Sequence, residues 1–180
     1  MRRLLFALLA LPLAYSAAPR ASNDLPQSLS VQQHDGTYEV SASFDVPRPI
    51  AIVRAVLTDY EHIPKFLPQV ERSVVLERTE SGVLVDQQAV TQLLMFSKRM
   101  HLVLDIREAA DVLTFTDTCG QSFVRYEGSW RLRDDGGRTS VRYRLLAEPR
   151  FDAPDWLVAR LMKRDAGRTI ERIQSEINRR

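Results

Sequence analysis

Four polar side chains fall on the apolar faces of predicted strands, where they are the first candidates for chemistry. Gln87 and Asp117 alternate with apolar neighbours such as Phe115, and Tyr126 and Tyr143 bring hydroxyl groups to similar faces. A carboxylic acid enclosed among apolar side chains can act as a general acid or base, which makes Asp117 the candidate catalytic residue. The alternative interpretation places Asp117 at a strand end, where its carboxylate meets water. Gln87 is interpreted as satisfying backbone groups at a bulge.

The remaining reactive residue types form no recognisable site. His34, His62 and His101 are scattered, and no two of them have the i, i+4 spacing of helical metal ligands. Cys119 is the only cysteine, so it cannot form an internal disulfide and is interpreted as buried and unreactive. The sequence contains neither a glycine-rich phosphate loop nor a Gly-x-Ser-x-Gly elbow. It therefore predicts no metal and no cofactor.

Alternating apolar and polar residues predict the sheet that must position these side chains. Residues 37–47 alternate cleanly, which is typical of a half-buried strand, and from Val70 to Glu148 nearly every stretch has the same period. Seven strands about 4.8 Å apart would span about 30 Å, while one helix is about 10–12 Å wide. We therefore expect an α+β fold. A curved antiparallel sheet of about seven strands, with two short helices after the first strand, would curl around a long C-terminal helix.

The C-terminal helix is predicted from its apolar stripe and begins near Pro154, which suits a first helical turn. The stripe has helical spacing and consists of Ala159, Met162, Ala166, Ile170, Ile173 and Ile177. The first two turns, around Trp156, are apolar on nearly all sides. More than one side of that end is therefore predicted to contact something nonpolar.

The segment Asp59–Val70 (DYEHIPKFLPQV) carries much apolar and aromatic surface, although Pro64 and Pro68 interrupt it. Prolines at this spacing allow only a short helical turn between them. A connector is ordinarily polar, so this one is predicted to lie against something apolar. Two interpretations remain open: the segment edges the mouth of a cavity, or it plugs the core between helix and sheet.

The first 16 residues have the pattern of a secretory signal peptide, with Arg2 and Arg3 ahead of a short apolar run and small residues. The alternative is an uncleaved anchor or a disordered tail. We expect an exported protein, periplasmic or secreted, with a flexible lead-in over residues 17–36 and one domain over residues 37–180. The net charge of +2 vanishes without Arg2 and Arg3, which argues against nucleic-acid binding.

Two stretches, DYEHIPKFLP (59–68) and FVRYEGSWRL (123–132), together with the order of elements, resemble the START-like superfamily of polyketide-cyclase type, which has the helix-grip fold. The resemblance covers about residues 37–178 and is closest to the coenzyme-Q-binding branch. Members enclose a hydrophobic ligand between the sheet and the C-terminal helix. The resemblance therefore implies ligand-binding residues at the mouth (Tyr60, Ile63, Phe66, Leu67), on the sheet (Leu104, Phe115, Tyr126, Trp130, Tyr143) and on the helix (Trp156, Met162).

The expected function is the binding or transport of a hydrophobic small molecule, such as a lipid, an isoprenoid quinone or a polyketide-like compound. The alternative is a cyclase/dehydrase-type enzyme that uses Asp117 on an aromatic or polyketide-like substrate. A third interpretation is a module that docks onto a protein partner through the apolar end Trp156–Met162. Peripheral membrane contact is a further hypothesis, because one predicted outer sheet face carries Arg125, Arg131, Arg133, Arg142 and Arg144.

Overall fold

The computed structural model describes residues 28–80, 82–93, 96–151 and 153–180, and for Leu93 and Phe96 it describes the backbone alone. The predicted signal peptide over residues 1–16 lies outside the described residues. So does the first part of the predicted lead-in.

A single antiparallel sheet forms the body of the described chain. Its eight strands are β1 (Ser28–His34), β2 (Thr37–Val46), β3 (Val70–Arg78), β4 (Gly82–Leu93), β5 (Phe96–Glu108), β6 (Val112–Asp117), β7 (Phe123–Asp134) and β8 (Thr139–Pro149). Their order across the sheet is β1-β2-β8-β7-β6-β5-β4-β3. The long meander from β3 to β8 therefore closes back onto the first hairpin.

The helices are α1 (Ile50–Leu57), a 3₁₀ turn (Tyr60–His62), α2 (Ile63–Phe66) and α3 (Asp155–Arg179). The first three connect β2 to β3, and α3 follows β8, so the predicted α+β helix-grip fold is confirmed. Pro64 lies in the first turn of α2 and Pro68 follows its end, which keeps this helix to one turn. Within the described ranges, no helix is long and apolar enough to cross a membrane.

The sheet has one strand more than predicted, because β1 forms within the segment predicted as a flexible lead-in. The turn that joins β1 to β2 contains Asp35 and Gly36, with φ angles of 50° and 79°. This left-handed conformation is typical of two-residue hairpin turns. Only Leu29 and Val31 of β1 pack against the core, so the apolar signal of this strand is small.

The long helix α3 packs beside β1, β2 and α1. Along its second half the predicted stripe is confirmed, since Ile170, Ile173 and Ile177 are buried. In its first half, Val158 and Leu161 are the buried residues instead of Ala159. The middle turns of α3 also reach β4. Arg164 donates a hydrogen bond to the backbone carbonyl of Gln92 (2.9 Å), and Asp165 accepts one from Thr91 (2.5 Å). The helix therefore bridges both sides of the curved sheet, and the inner face between them borders a cavity.

Candidate functional site

Two adjoining chambers lie between the inner face of the sheet and α3. The first has a volume of about 160 Å³ and lies beneath α1, the 3₁₀ turn and α2. The second has a volume of about 190 Å³ and lies between the second half of β8 and the first half of α3. Tyr126, Tyr143 and Thr169 border both chambers, so these residues mark their junction.

Ten of the eleven predicted ligand-binding residues line these chambers. Met162 lines the second chamber. Nine line the first: Tyr60, Ile63, Phe66, Leu67, Leu104, Phe115, Tyr126, Trp130 and Tyr143. Period-two alternation grouped the strand residues among them on one face of each strand, and the family resemblance implied that this face borders the cavity. Their contact with a ligand stays a prediction.

Tyr60 fastens the mouth segment to the rim of the sheet. Its ring is buried, and its hydroxyl donates a hydrogen bond to Oε1 of Glu108 (2.8 Å) at the end of β5. Arg54 of α1 lies 3.5 Å from the other carboxylate oxygen of Glu108 and donates to the backbone carbonyls of Ala109 and Ala110. Burial, together with the hydrogen bond to Glu108, raises the pKa of Tyr60 well above its ordinary value. These polar contacts bind α1 and the 3₁₀ turn, which border the first chamber, to the end of β5.

The segment Asp59–Val70 satisfies both interpretations that its sequence left open. Leu67 is buried in the hydrophobic core and also borders the first chamber. Ile63 and Phe66 are half-buried and line the same chamber from the side of the helices. The apolar surface of the segment is therefore shared between the core and the cavity.

Aromatic rings form the sheet side of the cavity. The rings of Trp130 and Tyr143, which are paired across β7 and β8, have centroids 4.3 Å apart. The rings of Phe115 and Tyr126 have centroids 5.9 Å apart. Gly128 makes room for this arrangement, because a Cβ atom at that position would lie 2.5 Å from Cζ of Phe115.

Residues 37–178 match the family model described as "Polyketide cyclase / dehydrase and lipid transport". The chain belongs to this family. The START-like resemblance is thereby confirmed, while membership of the coenzyme-Q-binding branch stays a prediction.

Solved structures show the same fold at low sequence identity. A START superfamily protein from Mycobacterium smegmatis is 15% identical, with a TM-score of 0.67 over 78% of this chain and 97% of that chain. The Zhui aromatase/cyclase from Streptomyces sp. R1128 is 17% identical, with a TM-score of 0.67 over 80% and 95%. A STAR-related lipid transfer protein from Xanthomonas axonopodis is 17% identical, with a TM-score of 0.61 over 83% and 98%. No curated protein matches the chain in sequence.

In this family member, the candidate catalytic residue Asp117 lines neither chamber. Its carboxylate accepts hydrogen bonds from the backbone N–H groups of Val103 (2.9 Å), Cys119 (3.2 Å) and Gly120 (3.0 Å). These bonds fasten the turn after β6 to strand β5. The strand-end interpretation describes this position, with backbone donors rather than water as the main partners of the carboxylate.

Trp156 is the predicted ligand-binding residue that the structure places elsewhere. It lines neither chamber, and 65% of its surface is exposed. Trp156 lies two residues, or about 200° of helical rotation, from the buried Val158, so its side chain points away from the sheet. Docking of a partner through this exposed end stays a prediction.

The second chamber contains residues that sequence reasoning missed. Phe123, Phe151, Val158 and Leu161 border it, and the ammonium group of Lys98 lies 5.3 Å from the ring centroid of Phe151. The second chamber could have been predicted from the first turns of α3, whose residues are apolar on nearly all sides of the helix. Such a helix end needs apolar partners on more than one side.

Gln87 differs from its predicted role at a bulge. It lines the first chamber, and its Nε2 donates a hydrogen bond to Oγ of Ser73 on β3 (3.2 Å) rather than to a backbone group. In the described part of the chain, no three His, Cys, Asp or Glu side chains are grouped to hold a metal ion.

Proposed function

We propose that this protein binds and carries an apolar small molecule in the two chambers between the sheet and α3. The observation that carries the proposal is the lining, which consists almost entirely of aliphatic and aromatic side chains. Among the described residues, the one carboxylate on the linings is Asp165 and no basic side chain borders them. The family description, which includes lipid transport, supports the same function.

The size of the chambers supports an elongated ligand. Neither volume, about 160 or about 190 Å³, reaches the roughly 300 Å³ at which ligand pockets ordinarily begin. Because the chambers adjoin, one long molecule can occupy both. A lipid, an isoprenoid quinone and a polyketide-like compound all have a suitable shape and apolar surface.

The first experiment is mass spectrometry of the full chain, purified from whole cells, under native and denaturing conditions. We expect a small molecule that is present in the native complex and released on denaturation, and its mass would identify its class. A protein that is empty and also takes up no long-chain lipid analogue would contradict the carrier function. The same spectra test the proposed export. A mass lacking residues 1–16 supports the signal peptide, and an intact mass contradicts it.

A cyclase/dehydrase-type enzyme is the alternative, and the fold similarity to the Zhui aromatase/cyclase favours it. With Asp117 bound to backbone groups, Tyr126 and Tyr143 become the candidate acid groups. Burial, with a smaller effect of the Asp117 charge, raises the pKa of Tyr126 to about 12, far above the near-neutral pKa that suits a general acid or base. The geometry therefore favours the carrier.

A contact with an anionic membrane is proposed for the outer face of β7 and β8. Arg131 and Arg142 are directly opposite each other in the register, and like charges in such pairs repel. Neither has an ion-pair partner among the described residues, whereas Arg125 is paired with Glu127. An anionic headgroup would relieve the repulsion and bind both guanidinium groups.

The membrane proposal is tested by flotation with vesicles that contain phosphatidylglycerol. Replacing both Arg131 and Arg142 by Ser is expected to weaken binding at least fivefold, since each basic residue near an anionic surface contributes about 1 kcal/mol. Arg125→Ser, on the same face, is the matched control and should retain binding. Equal binding by all three proteins would contradict the proposed membrane contact.

A further inference from the structure

Three residues mark the junction of the two chambers and a fourth packs beside them, and we call these four the polar waist. Tyr126 and Tyr143 reach the junction from β7 and β8, and Thr169 reaches it from α3. Trp130 is opposite Tyr143 in the register, packs against that ring and lines the first chamber. All four side chains carry a group that can donate a hydrogen bond.

The polar waist holds donors that the folded chain leaves unused. Among the described residues, the hydroxyls of Tyr126 and Tyr143 and the indole N–H of Trp130 have no hydrogen-bond partner. Neither tyrosine oxygen is sealed inside protein, since the one sealed, unpartnered side-chain oxygen or nitrogen in the described ranges belongs to Gln174. The two hydroxyls are therefore open to the cavity.

The protons on these groups are firmly held. Burial, with a smaller effect of the Asp117 charge, raises the pKa of Tyr126 to about 12. Burial, with a smaller effect of Tyr126, raises the pKa of Tyr143 well above its ordinary value. Both phenols are protonated at neutral pH, and an indole N–H can only donate. A complementary ligand must therefore present an acceptor atom at the polar waist.

An ionised acceptor does not fit this position. No Lys, Arg or His side chain among the described residues borders either chamber. Asp165, the carboxylate on the linings, accepts hydrogen bonds from Thr91 Oγ1 (2.5 Å) and Arg164 Nε (2.7 Å). A carboxylate ion buried without a cation is strongly disfavoured. A neutral oxygen accepts the same hydrogen bonds without that cost.

We propose that Tyr126, Tyr143 and Trp130 donate hydrogen bonds to a neutral oxygen of the ligand, such as the carbonyl of a ketone, ester or quinone. This oxygen lies between two apolar arms, one in each chamber. The inference rests on the proposed carrier function and adds the chemical group that the site selects. Tyr126 and Tyr143 are then specificity-determining residues, while the surrounding apolar lining supplies general affinity.

The test compares three probes of equal carbon number on the full chain: a dialkyl ketone with its carbonyl at mid-chain, the alkane, and the fatty acid. The native protein is expected to bind the ketone about tenfold more tightly than the alkane, which corresponds to one or two hydrogen bonds. The carbonyl stretch of the bound ketone should shift to lower frequency. In the protein with Tyr126→Phe and Tyr143→Phe, the preference and most of the shift should vanish, and the alkane should bind at least as tightly as before, because it no longer leaves two hydroxyls unpaired.

Tyr38→Phe is the matched control, because Tyr38 lines neither chamber and its hydroxyl donates to Asp155 (2.7 Å). This variant should keep the preference for the ketone. If ketone and alkane bind equally and the two tyrosine variants change nothing, the inference is overturned and the carrier function stands. If the fatty acid binds best through the same tyrosines, the neutral acceptor is overturned. If the native protein binds none of the probes, the carrier function fails, and the inference fails with it.

Discussion

Glu108 illustrates how a single side chain joins the sheet to the helical elements that border the first chamber. One oxygen of its carboxylate accepts the Tyr60 hydroxyl, and the other is paired with Arg54. Both partners belong to the elements that cover the chamber, while Glu108 belongs to the sheet. We therefore expect both contacts to oppose any movement of these elements away from the sheet.

Glu108→Gln is expected to speed ligand dissociation by about two- to fivefold, because a partly exposed ion pair contributes up to about 1 kcal/mol. The variant keeps a hydrogen-bond acceptor for Tyr60 and loses the charge that attracts Arg54. The measurement is stopped-flow dissociation of a long-chain lipid analogue. Asp105→Asn, which removes a carboxylate paired with Arg107 on the same strand, is the control. An unchanged rate of ligand dissociation in both variants would show that Glu108 does not hold α1 and the 3₁₀ turn over the first chamber.

Asp117→Asn tests the structural role of that carboxylate. Replacing the side chain that accepts hydrogen bonds from three backbone N–H groups is expected to lower the free energy of unfolding by about 1–3 kcal/mol and leave ligand affinity unchanged. Urea denaturation and equilibrium binding provide the two measurements. Asp134→Asn is the control, because its carboxylate accepts one long bond from Gly137 (3.4 Å). Lost ligand turnover with intact stability would instead identify Asp117 as catalytic.

For single residues, the sequence indicated which face of a strand each side chain occupies, but it did not indicate the hydrogen-bond partners of that side chain. Alternation grouped Phe115, Trp130 and Tyr143 with the apolar residues of their strands, because that property depends on immediate neighbours alone, and the family resemblance identified this face as the inner one. The hydrogen bond from Val103 to Asp117 depends on the pairing of β5 with β6. The alternation of apolar and polar residues does not predict that pairing. Trp156 was misplaced because the first turns of α3 are apolar on nearly all sides, which leaves the inward direction undefined.

The last turn of α3 links the helix to the mouth segment through a small ionic cluster. Glu176 is buried and accepts hydrogen bonds from Arg179 (2.7 Å) and Arg180 (2.8 Å). Arg180 also donates to a carboxylate oxygen of Asp59, just before the 3₁₀ turn (2.5 Å). This end of the helix therefore holds the mouth segment in place.

Stability is expected to depend on pH through Glu176. The hydrogen bond from Arg179 lowers the pKa of Glu176 from its ordinary value of 4.5. A carboxyl group with a lowered pKa in the folded state stabilises the fold above the unfolded value, and this contribution is lost as the pH falls through the folded value. Melting temperatures between pH 7 and about pH 3 should therefore fall more steeply for the native chain than for Glu176→Gln. Parallel curves for the two proteins would contradict this prediction.

The elements were predictable wherever a long periodic pattern occurred. The strands from β3 to β8 and the helix α3 have such patterns, whereas β1 presents two apolar residues among polar ones. The hairpin signal Asp35-Gly36 was present beside β1, yet an edge strand with one partner needs little apolar surface. Turn chemistry would have identified this strand better than periodicity did.

The position of α3 relative to the sheet determines where the cavity lies. The helix packs against β1 and β2 at one edge of an eight-stranded sheet, and its Asp165 and Arg164 bond to β4 near the other edge. Strands about 4.8 Å apart carry the sheet well beyond the width of one helix, so the inner face of β4 to β8 curves over space that α3 does not fill. The side chains at this interface shape that space into two chambers.

Ala166→Phe tests whether the two chambers act as one binding site. Ala166 borders the second chamber, so a phenyl group there should occupy much of its volume. Affinity for long-chain ligands is expected to fall about tenfold, while ligands short enough for the first chamber should bind as before. A chain-length series measured by calorimetry reveals the difference, and Arg168→Phe, on the exposed side of α3, is the control. An equal loss at every chain length would indicate a general packing defect.

The existence of a cavity could be predicted from the sequence, but the volumes of its two chambers could not. The ratio of strand count to helix width required a curled sheet, and curling leaves space. The volumes depend on how α3 bridges the curved sheet from β1 and β2 to β4 and on the close approach of Gly128 to Phe115. Both are settled by packing across residues distant in the chain.

The two tryptophans of the chain occupy opposite surroundings. Trp130 packs against Tyr143 inside the cavity, whereas Trp156 is 65% exposed. The fluorescence of Trp156 can therefore serve as an internal reference for that of Trp130. The fluorescence emission of Trp156 should lie at longer wavelength than that of Trp130 and be quenched by iodide. The emission of Trp130 should change when a ligand binds in the cavity. The ratio of the two signals would report occupancy of the cavity in solution, without an attached dye.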